Sequence, residues 1–235
     1  MQSEEKLGID VLAHDIKNVF NNISSSIELC KIFLSDTTNT DKVSEQFYIV
    51  NGQIARGLKL MSNVRKLYKN DQQSIPKVRT DVLAKLNEAI TLVKKSFQDK
   101  TLNIKINSFN KTIFIDADEE ISDIFENLLF NAVLHNMNIT VDIHIQLTKI
   151  QKDNKTFLKI EFIDNGIGVN DERKKWIFKE KDKKGKPGKG MGFGLTLVKK
   201  ILENYGGFIC VEDRIKGDYS QGSNFVILIP VGVEK

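Results

Sequence analysis

The chain has 235 residues, room for one large domain or two modest ones, and its 40% hydrophobic and 28% charged residues are ordinary globular usage. A net charge of +4 is too small to imply a nucleic-acid partner, and none is expected. Two cysteines, Cys30 and Cys210, each lie in an apolar run, which excludes a disulfide framework and reads as buried thiols in a reducing compartment. No apolar stretch approaches the roughly 18 residues that a bilayer span needs. The polar, acidic start from Met1 to Leu7 is unlike a signal peptide, so a cytoplasmic chain without a membrane segment is expected.

The first 70 residues read as two long helices. Leu12, Ile16, Val19, Ile23, Ser26, Cys30 and Phe33 repeat in alternating steps of four and three, as do Val43, Phe47, Val50, Ile54, Gly57, Met61, Val64 and Tyr68. The polar run from Ser35 to Asp41 supplies the turn. One hairpin cannot bury both stripes, but two paired hairpins can, so residues 1–72 are expected to form an antiparallel hairpin within a dimeric four-helix bundle.

Beyond Pro76 the pattern changes, and residues 77–235 read as a second domain. The periodicity predicts a helix over Asp81–Gln98, strands over Asn103–Ser108 and Thr112–Ile115, and a helix over Asp118–His135. Strands Val141–Ile150 and Phe157–Asp164 follow, joined through the hairpin chemistry of Asp153-Asn154. A glycine- and lysine-rich loop spans Gly166 to Lys189. Then come a helix over Gly192–Tyr205 stopped by Gly206-Gly207, and strands Phe208–Glu212 and Asn224–Pro230. Helices with mostly hairpin-joined strands imply an α+β fold, a two-layer α/β sandwich.

Four constellations carry chemistry. His14, Asn18, Asn22 and Ser25 share one polar face of the first helix, with Asp15 beside the histidine. A neutral imidazole is a good nucleophile near neutral pH, and a carboxylate neighbour fixes its tautomer or takes its proton. Asn127 and Asn131 stand one turn apart among core leucines, a costly placement for amides that suits holding magnesium and phosphate oxygens. Asp164-Asn165-Gly166-Ile167-Gly168 ends an apolar strand. Its carboxylate can accept a bond from an exocyclic amine, and Gly168 would let backbone approach a flat ring. Finally, the glycines from Gly185 to Gly194 run into a helix N-terminus, where backbone N–H groups and the helix dipole favour an anion.

In this order the motifs resemble the bacterial sensor histidine kinase family over nearly the whole chain. "HDIKN" is similar to that family's phosphoacceptor motif, "NLLFNA" to its asparagine box, "DNGIG" and "GKGMGFGLTLVKKI" to its two glycine boxes, and "WIF" to its short phenylalanine box. The resemblance implies a Bergerat-type ATP-binding domain that autophosphorylates His14, with Asp15 and Asn18 assisting, and passes the phosphoryl group to the receiver domain of a response regulator. Phosphatase action with Asn18 orienting a water is implied too. ATP and Mg2+ are the implied cofactors. The implied binding residues are Asn127, Asn131 (also the metal ligand), His135, Asp164, Gly166, Gly168, Phe178, Gly188, Lys189, Gly190, Met191, Gly192, Gly194 and Leu195. Two positions depart from the family: Val19 stands where a proline is frequent, so the helix should run unbroken, and Leu134 stands where a phosphate-binding lysine is frequent. The lid lysines Lys174, Lys175, Lys179, Lys181, Lys183, Lys184, Lys186 and Lys189 offer a substitute cation.

Two other functions fit parts of the pattern. A nucleotide-clamp ATPase is disfavoured because Asn127 stands where water-activating relatives carry glutamate. A histidine phosphotransferase without ATP binding is disfavoured by the intact boxes.

Overall fold

The computed structural model describes residues 2–35, 39–68, 76–98, 100–178 and 193–231. The chain divides into two compact units, one centred on residues 1–69, the other on residues 70–94, 100–180 and 194–235.

The first unit is a pair of helices, α1 (Gln2–Phe33) and α2 (Thr40–Leu67). They run antiparallel. Asn22 donates to Gln53 at 3.4 Å, Cys30 Sγ to the Val43 carbonyl at 3.9 Å, and Val19 lies 3.4 Å from where a Gly57 side chain would begin. No proline interrupts α1, and it continues unbroken past Val19. Val19, Ser26, Cys30 and Val43 are buried along the seam. Among the described residues, part of the α2 heptad pattern and a second apolar stripe on α1 remain uncovered. Phe47, Ile54, Met61 and Tyr68, seven apart on α2, and Phe20, Ile27 and Leu34, seven apart on α1, are 45–66% exposed.

The second unit is α+β. Strands β1 (Val78–Asp81) and β3 (Phe114–Ala117) form a small antiparallel pair flanking α3 (Val82–Ser96) and β2 (Thr101–Ser108) in the chain. After β3 come α4 (Ile121–Leu134), β4 (Thr140–Lys152), β5 (Lys155–Asp164), α5 (Asp171–Lys174), α6 (Phe193–Asn204), β6 (Phe208–Ile215) and β7 (Asp218–Pro230). The main sheet is mixed, in the order β2-β4-β5-β7-β6, with only β2 and β4 parallel. Alternation decides its faces: Val141, Ile143, Ile145 and Leu147 are buried while His144 and Gln146 are exposed. Helix α4 lies on the buried face, with Phe125 against Phe162 at 6.2 Å between ring centroids. Burying either ring fully contributes about 1.5–3 kcal/mol.

Several boundaries differ from the sequence expectation. Asp81 ends β1 instead of opening a helix, and its carboxylate caps α3 by accepting from Leu83 N at 3.0 Å. Strands β6 and β7 are longer than expected and meet in a tight turn at Gly217 (φ 85°). Cys30 is buried as expected, whereas Cys210 is exposed, because it sits on edge strand β6 with its side chain on the sheet's other face. The Asp153-Asn154 turn has both φ angles positive, 50° and 60°, the conformation of a two-residue hairpin. Gly206 (φ 70°) stops α6, and Gly207 N returns to the Leu202 carbonyl at 2.7 Å.

Candidate functional site

On α1, His14 is exposed and its Nδ1 lies 3.3 Å from both Asp15 Oδ1 and Asn18 Nδ2. These contacts demand opposite tautomers. Asp15 accepts only from a protonated Nδ1, which leaves the lone pair on Nε2, while Asn18 donates only to an unprotonated Nδ1. Asp15 is 6% exposed, so it belongs to the packed side of the helix rather than to the polar face. On the polar face, Asn22 is exposed and its amide reaches Gln53 of α2 at 3.4 Å.

In the second unit, β5 delivers Asp164 to a buried position at its C-terminal end. Its Oδ1 accepts from Gly166 N at 2.8 Å and Ser223 N at 3.5 Å, and its Oδ2 from Ser223 Oγ at 2.6 Å. Burial raises the Asp164 pKa above its ordinary value, against the lowering effect of these donors and of the Arg214 charge. Oδ2 retains acceptor capacity beyond the serine.

Gly166 and Gly168 are both needed for close approach of neighbouring backbone. A side chain on Gly166 would meet the His135 carbonyl at 2.7 Å, and one on Gly168 (φ +66°) would overlap the Tyr219 carbonyl. Gly222 packs likewise against the backbone of Asp164. The turn after β5 and the first half of β7 are therefore interlocked. Ser223, Gly222 and Tyr219 escaped the sequence reading because the polar Asp218–Ser223 stretch read as loop. The Gly-Ser pair directly before an apolar strand was the available signal.

Helix α4 buries Asn127, whose Nδ2 donates to the Asp123 carbonyl at 2.7 Å. Asn131, one turn on, is different: its Nδ2 is buried without a hydrogen-bond partner. An orphan amide of this kind marks a place completed by a ligand or water. His135, exposed, caps α4, and its carbonyl accepts from Ile167 N at 3.0 Å. Phe178 packs edge-on against Phe225 at 6.2 Å. Gly194 and Leu195 form the first turn of α6; the Leu195 side chain is buried, so its backbone is what it offers a ligand. Gly188, Lys189, Gly190, Met191 and Gly192 lie outside the described residues, as do the lid lysines from Lys179 to Lys189. Of the two described, Lys174 is committed to Asp171 at 2.7 Å and Asp213 at 2.5 Å, which tie α5 to β6, and it is no spare phosphate cation.

Among the described residues no group of three or more His, Cys, Asp or Glu side chains forms a metal cluster, and no helix is long and apolar enough to cross a membrane. The sequence matches the family described as "Histidine kinase-, DNA gyrase B-, and HSP90-like ATPase" over residues 116–233. It is 25% identical to Cyanobacterial phytochrome A of Nostoc sp. over 94% of this chain and 28% of that protein. It is 27% identical to Adaptive-response sensory kinase SasA of Synechocystis sp. over 94% of this chain and 58% of that one. The chain thus spans between about a quarter and three fifths of these relatives. Histidine kinase ThkA, solved in complex with response regulator protein TrrA, shares the fold at TM-score 0.60 and 19% identity, over 97% of this chain and 64% of that one. Matched over half its length by that family and aligned almost throughout with a sensory kinase, the chain belongs to the histidine kinase-, DNA gyrase B- and HSP90-like ATPase family, among the sensor histidine kinases.

Proposed function

We propose that this chain is a kinase core in which residues 77–235 bind ATP and residues 1–72 carry the acceptor, His14. The observation that supports it most is Asp164. A buried carboxylate served only by neutral donors costs stability, and such a group is kept where its charge is used. Here it accepts from the exocyclic amine of adenine beside the turn built on Gly166 and Gly168. Asn131 and Asn127 face the phosphate end, with His135 and Phe178 at the margins. The glycine run from Gly188 to Gly192, with Lys189, Met191, Gly194 and Leu195, offers backbone N–H groups at the start of α6.

Magnesium fits this set of residues. A half-turn of the Asn131 amide exchanges its orphan nitrogen for an oxygen, the donor type that magnesium takes, and few protein ligands are needed when phosphates supply the rest. The metal would neutralise charge on the phosphates. Asp15, accepting from Nδ1–H of His14, leaves the Nε2 lone pair to attack the γ-phosphorus; the bond to the ADP oxygen breaks as the N–P bond forms, and Asp15 stabilises the resulting imidazolium. Asn18, favouring the opposite tautomer, would orient a water for phosphatase action, in which water attacks phosphorus and the P–O bond of a regulator's phosphoryl-aspartate breaks to release phosphate. The phosphoryl group then passes to a response-regulator receiver domain, as the pairing of ThkA with TrrA suggests by analogy. The uncovered heptad residues of α1 and α2 support a homodimeric four-helix bundle. The chain acts in the cytoplasm.

The test is incubation with γ-labelled ATP. Wild type should acquire an acid-labile, alkali-stable label, and His14→Gln should acquire none while binding ATP as well as wild type. Acid-labile label persisting on His14→Gln would refute the assignment.

A further inference from the structure

Asn136 stands just past α4, is 2% exposed, and belongs to none of the motifs above. Its Nδ2 donates to Asn165 Oδ1 at 2.6 Å, its Oδ1 accepts from Asn138 N at 2.9 Å, and its carbonyl accepts from Lys100 Nζ at 2.5 Å. Lys100 also reaches the Val133 carbonyl at 3.5 Å, so a cation closes the C-terminal end of α4. Asn165 is equally committed. Its Oδ1 also accepts from Asp142 N at 3.0 Å, its Nδ2 donates to Thr140 O at 3.3 Å and Asp142 Oδ2 at 3.4 Å, and its carbonyl accepts from Asn138 Nδ2 at 2.9 Å. The asparagine of the Asp-Asn-Gly turn therefore spends its side chain on the loop after α4 and on the start of β4.

From this we infer that Asn136 is a positioning residue of the nucleotide site, clamping the turn that carries Asp164 to the end of the helix that carries Asn131. The inference rests on the proposed reading that Asp164 accepts from adenine. The base end and the phosphate end of a nucleotide are then read by separate elements, β5 and α4. Beyond the backbone bond from Ile167 N to the His135 carbonyl, the side-chain links between them among the described residues are the buried Asn136 amide on Asn165 Oδ1 and the exposed Asn138 amide on the Asn165 carbonyl. Removing the Asn136 amide leaves Asn165 Oδ1 short of a buried donor and frees the loop to shift against the turn. A small shift is enough, because binding at both ends needs both in register.

The experiment is calorimetric titration of the whole chain with Mg-ATP, in a double-mutant cycle. Asn136→Ala should weaken binding about tenfold, as expected for one buried hydrogen bond. In the Asp164→Asn background the same change should weaken binding less than about threefold, since a turn without its carboxylate gains little from alignment. A general loss of stability would instead cost the same factor in both backgrounds, and that result would overturn the inference, as would wild-type affinity in Asn136→Ala. If Asn136→Ala does not fold, Asn138→Ala decides, because this exposed residue removes only the bond to the Asn165 carbonyl. It should show a smaller loss that again shrinks in the Asp164→Asn background, and equal losses in both would overturn the inference. Failure of the wild type to bind Mg-ATP would overturn the nucleotide reading itself, and the inference with it; wild-type binding with an insensitive Asn136 would overturn the inference alone.

Discussion

At the scale of single residues, the buried Asp164 carboxylate weighs against stability, and the proposed role in binding adenine would set function against that cost. Its folded pKa is raised, so between its ordinary value and the raised one the folded chain holds a proton that the unfolded chain has lost. Stability from this group therefore falls as pH rises through that window, and at neutral pH the ionised carboxylate is a net cost. Asp164→Asn removes the cost while keeping the packing: Oδ1 still accepts from Gly166 and Ser223 N–H, and the new amide can donate to Ser223 Oγ. The melting temperature without nucleotide should hold or rise, while ATP affinity drops by about 1.5–3 kcal/mol for the lost charged acceptor. Wild-type affinity should also weaken on acidification at a higher pH than an ordinary carboxylate would give, and the variant should flatten that profile. Unchanged affinity by calorimetry would remove Asp164 from the site. This residue stood out in the sequence because an acid followed by two nearby glycines closes an apolar strand. Its partner Ser223 was not, because the half-strand holding it is polar and exposed except at its end.

At the scale of elements, α2 carries an avoidable weakness. Gly52 lies inside the helix, and a methyl group there would meet nothing within 4 Å. Gly52→Ala should therefore stabilise the helix by about 0.5–1 kcal/mol, read as a higher thermal midpoint. A fall in the midpoint would mean that a second surface lies against this position. The long helices were legible because heptad spacing persists over several turns and tolerates local exceptions. Strand β1 was not: Val-Arg-Thr-Asp has no alternation, its outer half is exposed, and its pairing with β3 comes from distant residues. The start of α3 was misplaced for a related reason, since an aspartate before an apolar run signals a cap without saying whether a strand leads in. The family resemblance located the boxes, but the bonds joining them became visible only in three dimensions. Nothing in the spacing of Asn136 and Asn165 pairs them.

At the scale of the whole molecule, twelve large apolar side chains of the hairpin are exposed among the described residues, and seven of them fall in two stripes of seven-residue spacing, more than scattered surface residues would explain. If a second copy covers them, Ile54→Glu should place a charge in that seam and turn the dimer into a monomer by light scattering at micromolar concentration, with the hairpin still helical. A wild-type monomer under those conditions would remove the bundle from the account. The chemical lifetime of the molecule depends on a feature already described. Asparagine followed by glycine is the pair most prone to lose ammonia, by attack of the glycine nitrogen on the side-chain carbon. In Asn165-Gly166 that nitrogen donates its proton to Asp164, and the asparagine amide is held on both its oxygen and its nitrogen. The hydrogen bonds that shape the turn also hold the reacting groups in other partnerships, so while the chain is folded this one of its two Asn-Gly pairs, the other being Asn51-Gly52, is protected from ageing, and each unfolding exposes it.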